Sequence, residues 1–200
     1  MKAISIATLR TMKSNGEKFA VLTAYDSTFA SLAETAGIEV VLVGDSLGNV
    51  CLGYKSTVPV TMADMIHHTA AVSRGNDKSL TIADMPYMAY ATPEQAMTNA
   101  ALLMQAGAQM VKLEGGSWLA STVHSLAERG IPVCCHLGLT PQSVDKLGGY
   151  KVQGKDSSSA SQMIEDAVCL EQAGADLLVL ECVPSALGEA ISKRLTIPVI

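Results

Sequence analysis

One pattern occurs three times along this chain and limits the folds that it can adopt. Each copy has the end of a helical pattern, an Ala-Gly pair, two linking residues, an apolar run and then polar residues: ETAGIEVVLVGDS, MQAGAQMVKLEGGS and EQAGADLLVLECVPS. Gly37, Gly107 and Gly174 suit the left-handed backbone that ends many helices. Continuous apolar runs are typical of strands that are buried on both faces, as in parallel sheets. The repeat therefore predicts alternating helices and parallel strands.

Helix-start signals occur between these apolar runs. Three segments have a capping residue followed three positions later by a side chain that can complete a capping box: Thr92 with Gln95, Thr61 with Asp64, and Ser159 with Gln162. Pro93 suits the first position of a helix. The Ser-rich segment GKDSSSAS is predicted to be a mobile loop that leads into the third of these helices. An amphipathic helix is expected at about residues 5–15.

The strand pattern predicts a (β/α)8 TIM barrel. The predicted strands lie at 19–25, 39–45, 80–86, 110–115, 132–138, 176–182 and 197–200. Seven strands cannot close an eight-stranded barrel, and the seventh stops at Ile200. We therefore expect a barrel that is truncated in its last βα segment, in a chain that is a fragment; an open sheet is the alternative. No composition change marks a linker, so residues 1–200 are predicted to be a single barrel domain.

Composition excludes several classes of function. The net charge of −5 argues against a nucleic-acid surface, which needs clustered Lys and Arg. No apolar run approaches the length of a membrane span, and the N-terminus lacks the features of a signal peptide. The five cysteines form no CxxC pair, which favours reduced, mostly buried thiols. We expect a cytoplasmic protein with no nucleic-acid or membrane partner.

Ionisable side chains lie at the ends of five consecutive predicted strands: Asp45, Asp84, Lys112 with Glu114, His136, and Glu181. The carboxyl ends of parallel strands are where active sites form in α/β folds. Each residue alone has an ordinary explanation. An aspartate can cap a turn, a histidine can be a core imidazole, a lysine can extend to solvent, and a glutamate can lie on the surface. All of these explanations would have to hold together for this edge to have no function.

These residue types predict enolate chemistry on a 2-oxo acid. Asp45, Asp84 and Glu114 supply hard oxygen ligands that suit Mg2+ better than Zn2+. A 2-oxo acid chelates such an ion through its keto oxygen and its carboxylate, and the ion then acidifies the adjacent C–H group. Lys112 can pair with the substrate carboxylate or the enolate oxygen. Glu181 lies apart from the metal set and can act as the general base.

Several longer motifs resemble those of the ketopantoate hydroxymethyltransferase family, from about Thr11 to Ile200. The motifs that carry this resemblance are the block LTAYDSTFASLAETAGIEVVLVGDSLGNVCLGYKSTVPVTMADMIHHTAAV and the shorter IADMPYMAY, VKLEGG, IPVCCHLGLTPQS, GGYKVQG and LLVLECVP. The resemblance implies a (β/α)8 barrel, cytoplasmic pantothenate biosynthesis and a homo-oligomer, typically a decamer. It also implies transfer of a hydroxymethyl group from 5,10-methylenetetrahydrofolate to 3-methyl-2-oxobutanoate, giving 2-dehydropantoate.

The resemblance assigns roles to individual positions. The magnesium positions match Asp45, Asp84 and Glu114, and Glu181 matches the proton acceptor. The positions that contact the oxo acid match Asp45, Ser46, Asp84 and Lys112, and His136 matches an active-site histidine at the substrate.

Two other functions are compatible with these residues. Enzymes of the phosphoenolpyruvate mutase and isocitrate lyase type also bind Mg2+ and an oxo acid with carboxylates at strand ends. They would be expected to carry a catalytic Cys-bearing or phosphonate-binding loop, which the sequence does not show. An inactive truncated barrel that acts only as a binding unit is the third possibility, and it depends on the missing C-terminal segment alone.

Overall fold

The computed structural model describes residues 3–200 and has an α/β fold with six strands, each parallel to the strand it pairs with. Strands β1–β6 span Val21–Thr23, Val40–Val43, Leu80–Asp84, Met110–Glu114, Val133–Gly138 and Leu177–Glu181. Helices α1–α9 span Ile6–Asn15, Ser27–Thr35, Leu47–Val50, Met62–Arg74, Pro93–Gln105, Ala120–Ala127, Val144–Leu147, Ser157–Gln172 and Ser185–Arg194. Short 3-10 helices cover Ser117–Leu119 and Pro141–Ser143.

The chain forms two compact units, and the boundary between them follows Lys112, inside β4. In the first unit, β1, β2, β3 and the start of β4 pair in that order. Helix α4 packs against α2 and α5 and against β2 and β3. All five residues of β3 are buried, as expected for a strand covered on both faces. The short strand β1 differs, because Leu22 is 49% exposed.

The second unit begins at Leu113 and contains β5 and β6 as a parallel pair. Helix α8 packs against β5, α6 and α9. The strand predicted at 197–200 is reduced to one isolated bridge between Val199 and Leu178. The single barrel domain over residues 1–200 stays a prediction.

The helix ends confirm most of the sequence signals. Gly37, Gly107 and Gly174 have the predicted left-handed backbone, with φ of 84°, 109° and 110°. Thr61 and Asp64 form the predicted capping box. Thr92 caps α5, but the Gln95 side chain accepts its hydrogen bond from Ala91 N instead of completing the box.

The prediction for the start of α8 was wrong. The helix begins at Ser157, and its capping residue is Asp156 rather than Ser159. The Asp156 carboxylate accepts hydrogen bonds from Ser159 N at 2.9 Å and Ser159 Oγ at 2.6 Å. The Ser-rich segment therefore forms the first turn of a helix and not a mobile loop, because a charged acceptor is available at its start.

The five cysteine thiols are free. Cys134 and Cys135 are buried, Cys169 is half-buried, and Cys51 and Cys182 are exposed. The expectation of mostly buried thiols therefore held for only part of the set. Within residues 3–200, no helix combines the length and apolar character needed to cross a membrane.

Side-chain oxygens accept hydrogen bonds from backbone amides near the amino ends of several strands. In the first unit, Glu39 accepts from Ala20 N at 2.8 Å and Gln109 accepts from Thr81 N at 3.0 Å. In the second unit, Asp176 accepts from Val133 N at 3.2 Å. Thr81 and Val133 are buried, so their amides need such an acceptor in place of water. These three hydrogen bonds, here called the amino-end clamps, therefore fix the positions at which the strands begin.

Glu34 forms a related clamp on the loop before β3. Its carboxylate accepts from Asp77 N at 2.6 Å and Lys78 N at 2.9 Å, and Lys78 Nζ lies 3.3 Å away. The hydrogen bond from the Asp77 amide is the main cause that lowers the pKa of Glu34 below its ordinary value of 4.5. Glu34 therefore stabilises the fold above its ordinary pKa, and this contribution is lost as the pH falls through the lower, folded-state pKa.

Replacement of Glu34 by glutamine is expected to lower the free energy of unfolding at pH 7 by about 1 kcal/mol, or roughly 2–4 °C in Tm. Glutamine keeps one acceptor oxygen but loses the charge. Thermal unfolding of both proteins at about pH 7 and about pH 4 checks this, and the difference in Tm should shrink at the lower pH. A difference that does not change with pH would contradict the charge-based explanation.

Candidate active site

Strands β2 and β3 end at adjacent positions, and a hydrogen bond from a backbone amide to a side-chain carboxylate joins the two ends. Asp84 is the last residue of β3, and Asp45 lies two residues beyond the end of β2. Asp45 N donates to Asp84 Oδ2 at 3.0 Å. Both side chains are buried, with 3% of each residue exposed. The backbone amide of Asp45 therefore contacts the Asp84 carboxylate.

Lys112 adds a buried cation to the same cluster. Its register partner in β3 is Asp84, and Lys112 Nζ lies 2.8 Å from Asp84 Oδ1. Both side chains are only 4% exposed, so Lys112 does not extend to solvent. Removal of two charges from water costs several kcal/mol per ion and is offset only by close pairing. An ion pair this buried is poorly explained by stability and is typical of a functional site.

Ser46 lies beside this cluster and contacts a residue that the strand-end analysis missed. The Ser46 hydroxyl lies 2.9 Å from Tyr25 Oη. Burial is the main cause that raises the pKa of the Tyr25 phenol above its ordinary value. Tyr25 is the last residue of the first predicted strand, 19–25. Among the first six predicted strands, this is the one that supplied no candidate site residue. Its position at a strand end was the signal that could have identified it.

The second unit contains a cluster around Glu114. Glu114 is the last residue of β4 and is 5% exposed. Gln142 N donates to Glu114 Oε2 at 3.0 Å, and His136 Nδ1 lies 3.3 Å from Glu114 Oε1. Glu114 is therefore a buried carboxylate that contacts a backbone amide and a histidine ring.

His136 contacts a second carboxylate. His136 Nε2 lies 3.5 Å from Glu181 Oε2, at the end of β6. The Glu181 side chain is 39% exposed, whereas that of His136 is 3% exposed. His136 is therefore not a core imidazole among apolar neighbours, because carboxylates lie near both ring nitrogens. Glu181 is therefore the more accessible of the two carboxylates near His136.

The backbone around Glu181 is tightly constrained. Glu181 O accepts a hydrogen bond from Leu139 N at 2.8 Å. A Cβ atom on Gly138, which has φ of 93°, would lie 2.2 Å from Glu181 O. The next residue, Cys182, has a left-handed φ of 49°, which is unusual for a residue other than glycine. The backbone oxygen of Glu181 thus lies so close to Gly138 that only glycine fits there.

The predicted site residues fall into two groups, one in each unit. Asp45, Ser46, Asp84 and Lys112 belong to the first, and Glu114, His136 and Glu181 belong to the second. Within residues 3–200, no group of three or more His, Cys, Asp or Glu side chains could hold a metal ion as placed. The magnesium set of Asp45, Asp84 and Glu114 therefore stays a prediction. Its donor chemistry fits the ion, because all three are buried carboxylates.

Three proteins that are similar to this chain in sequence are named as the same enzyme. A protein of Colwellia psychrerythraea named 3-methyl-2-oxobutanoate hydroxymethyltransferase is 60% identical over 200 residues, which is all of this chain and 76% of the relative. Proteins with the same name from Pseudomonas putida and Yersinia pestis are 59% and 60% identical over 200 residues. This chain thus spans about three quarters of the length of these relatives.

Solved structures of low sequence identity share the fold. A putative phosphonomutase from Burkholderia cenocepacia superposes with a TM-score of 0.78 at 18% identity, covering 97% of this chain and 82% of the other. A 2,3-dimethylmalate lyase of the PEP mutase/isocitrate lyase superfamily gives 0.69 at 17% identity, covering 97% and 70%. The fold of this chain is therefore similar to the folds of these two structures.

The sequence profile of one family matches nearly the whole chain. That family is described as ketopantoate hydroxymethyltransferase, and the match covers residues 3–200. Together with the full-length identity of about 60% to named relatives, the match confirms the resemblance inferred from the motifs. The chain belongs to the ketopantoate hydroxymethyltransferase family.

Proposed function

We propose that this chain transfers a hydroxymethyl group from 5,10-methylenetetrahydrofolate to 3-methyl-2-oxobutanoate, giving 2-dehydropantoate. It is an enzyme of the transferase class in pantothenate biosynthesis, like the relatives with which it shares about 60% of its residues. The observation that carries the proposal is the family match over residues 3–200. Folate enters as the co-substrate that supplies the one-carbon unit.

Asp45, Asp84 and Glu114 are the residues proposed to hold Mg2+. All three are buried and offer hard oxygen donors. When bound, Mg2+ would act as a Lewis acid on the chelated oxo acid and make the proton at C3 more acidic. The buried Lys112 ammonium group, 2.8 Å from Asp84 Oδ1, is proposed to pair with the negative charge of the substrate as well.

The remaining residues have roles in binding and proton transfer. Lys112, through its ammonium group, stabilises the negative charge that develops on the enolate oxygen. Ser46, with Asp45, Asp84 and Lys112, contacts the oxo acid. Glu181 accepts the C3 proton, and His136 lies at the substrate and orients the Glu181 carboxylate. The enolate carbon then attacks the methylene carbon of the folate, so that one C–C bond forms as one of the two C–N bonds of that carbon breaks. Water then replaces the second nitrogen and supplies the hydroxyl group, and the two nitrogens of tetrahydrofolate take up the proton held by Glu181 and one proton from the water.

Structural likeness alone does not favour phosphoenolpyruvate mutase or isocitrate lyase chemistry for this chain. The superfamily neighbours are less than 20% identical, so they support the fold and not the reaction. Dependence on folate distinguishes the two enzymatic functions, and activity of any kind excludes a unit that only binds.

Deuterium exchange at C3 of 3-methyl-2-oxobutanoate tests the proposed function. In D2O with Mg2+, the purified chain is expected to exchange the C3 proton, and NMR follows the loss of its signal. Formation of 2-dehydropantoate should require methylenetetrahydrofolate, and both activities should stop when EDTA removes the metal. The control compound is 3,3-dimethyl-2-oxobutanoate, which chelates in the same way but has no C3 proton. Consumption of the oxo acid without folate, or no exchange with Mg2+ present, would contradict the proposal.

The wider features implied by the family are part of the same proposal. The strands are proposed to belong to a (β/α)8 TIM barrel, and the chain to act in the cytoplasm as a homo-oligomer, with a decamer as the expected size. Light scattering on the purified chain measures that size directly.

A further inference from the structure

A short chain of hydrogen bonds runs through Tyr25 in the first unit. His68, on α4, lies with Nδ1 2.7 Å from Tyr25 O. A carbonyl oxygen only accepts, so the histidine donates from Nδ1. Tyr25 Oη in turn lies 2.9 Å from Ser46 Oγ. The Tyr25 backbone is thus held from α4 while its phenol reaches Ser46.

The Ser46 hydroxyl does not cap the helix that follows it. Ser46 precedes α3, where serine commonly caps the helix with its side chain, but it makes no such capping hydrogen bond. The neighbouring Gly44 leaves room for the hydroxyl, because a Cβ atom there would lie 2.7 Å from Ser46 Oγ. The space and the tyrosine contact together direct this hydroxyl away from the helix end.

We propose that Tyr25 is a positioning residue whose phenol donates to Ser46 Oγ and so directs the Ser46 hydrogen toward the carboxylate of the oxo acid. A serine hydroxyl has one hydrogen. If Ser46 donated it to Tyr25, only its lone pairs would face an anionic substrate. Donation from Tyr25 keeps the serine hydrogen for the substrate, and hydrogen bonds in such a chain strengthen one another. The inference rests on the proposed function, which makes Ser46 a contact of the oxo acid.

A double-mutant cycle tests whether Tyr25 acts through Ser46. The four proteins are the wild type, Tyr25→Phe, Ser46→Ala and the double variant, and calorimetry with Mg2+ present measures the Kd for 3-methyl-2-oxobutanoate. Tyr25→Phe is expected to weaken binding about three- to tenfold, as for one neutral hydrogen bond. Ser46→Ala is expected to weaken it roughly 10- to 100-fold, because the bond lost is to a charged group. In the Ser46→Ala background, Tyr25→Phe should have no further effect.

Two readouts separate positioning from a general structural effect. The KM for methylenetetrahydrofolate at saturating oxo acid should be unchanged in Tyr25→Phe. The matched control is Tyr150→Phe, which removes a phenol oxygen from a side chain that is 64% exposed and should leave the Kd unchanged. Tyr25→Phe keeps the aromatic ring, so thermal unfolding should shift by no more than a few degrees.

Every other outcome overturns either the positioning role of Tyr25 or the proposed function. Equal weakening by Tyr25→Phe in both backgrounds, or no weakening in either, would overturn the positioning role while the proposed function stands. An unchanged Kd in Ser46→Ala, in a protein whose wild type exchanges deuterium, would do the same. A wild type that neither binds the oxo acid nor exchanges its C3 proton would overturn the proposed function, and this inference with it.

Discussion

Replacement of Glu181 by glutamine is expected to abolish most C3 deuterium exchange while the oxo acid still binds. Glutamine has nearly the shape of glutamate but cannot accept the proton, and loss of a general base typically costs about 10²- to 10⁴-fold in rate. Binding should persist because Glu181 is not among the residues proposed to contact the metal or the substrate carboxylate. NMR measures the exchange rate, and calorimetry with Mg2+ measures the Kd.

The matched control for this variant is Glu189→Gln. Glu189 lies on α9 with its side chain 66% exposed, and its partner Lys193 lies one helical turn away. This change removes the same charge without touching the site and should leave the exchange rate unaltered. Full exchange in Glu181→Gln would remove Glu181 from the role of base, whereas loss of oxo-acid binding would show that it contacts substrate or metal.

Replacement of Gly138 by alanine is expected to damage both stability and catalysis. The new Cβ would lie 2.2 Å from Glu181 O, and the backbone at Gly138 has φ of 93°. Left-handed strain and the clash with a backbone oxygen together should cost about 3 kcal/mol, or roughly 6–12 °C in Tm. Relief of the clash must move the end of β6, and a shift of about 1 Å at a catalytic group can cost about 10²-fold in rate.

Gly130→Ala separates the two effects at Gly138. Gly130 has φ of 76°, but a Cβ atom there would meet nothing within 4 Å. Alanine at this position should therefore cost only the left-handed strain of about 1–2 kcal/mol and leave kcat intact. Differential scanning calorimetry and steady-state kinetics on both variants give the comparison. A Gly138→Ala enzyme with the kcat of the wild type would show that this glycine does not set the position of Glu181.

Much of the fold was predictable because its signals are local. The apolar runs located six of the seven predicted strands, and Ala-Gly pairs precede three of those six. The strand ends also placed Asp84 and Lys112 correctly, and their contact follows from the register of β3 and β4. The apolar pattern at 197–200 could not show how far this segment pairs as a strand. Its pairing depends on residues that are distant in the chain, such as Leu178.

The contacts that the sequence did not predict depend on the direction of side chains. A tyrosine at a strand end carries no charge at neutral pH, so a survey of ionisable residues passes over Tyr25. Its contact with Ser46 joins residues 21 positions apart and requires the fold to be known. Asp156 was missed as a helix cap because serine and aspartate compete for that role, and nearby serines gave an equally good local pattern.

The amino-end clamps have a practical consequence for protein engineering. Carboxylates and amides such as Glu39, Gln109 and Asp176 secure the strands at the ends opposite to those that carry Asp84 and Glu181. Mutational tolerance should therefore be asymmetric along each strand. Libraries that vary the amino ends of the strands should raise or lower Tm with little change in kcat. Those positions are therefore the first choice for engineering a more thermostable variant.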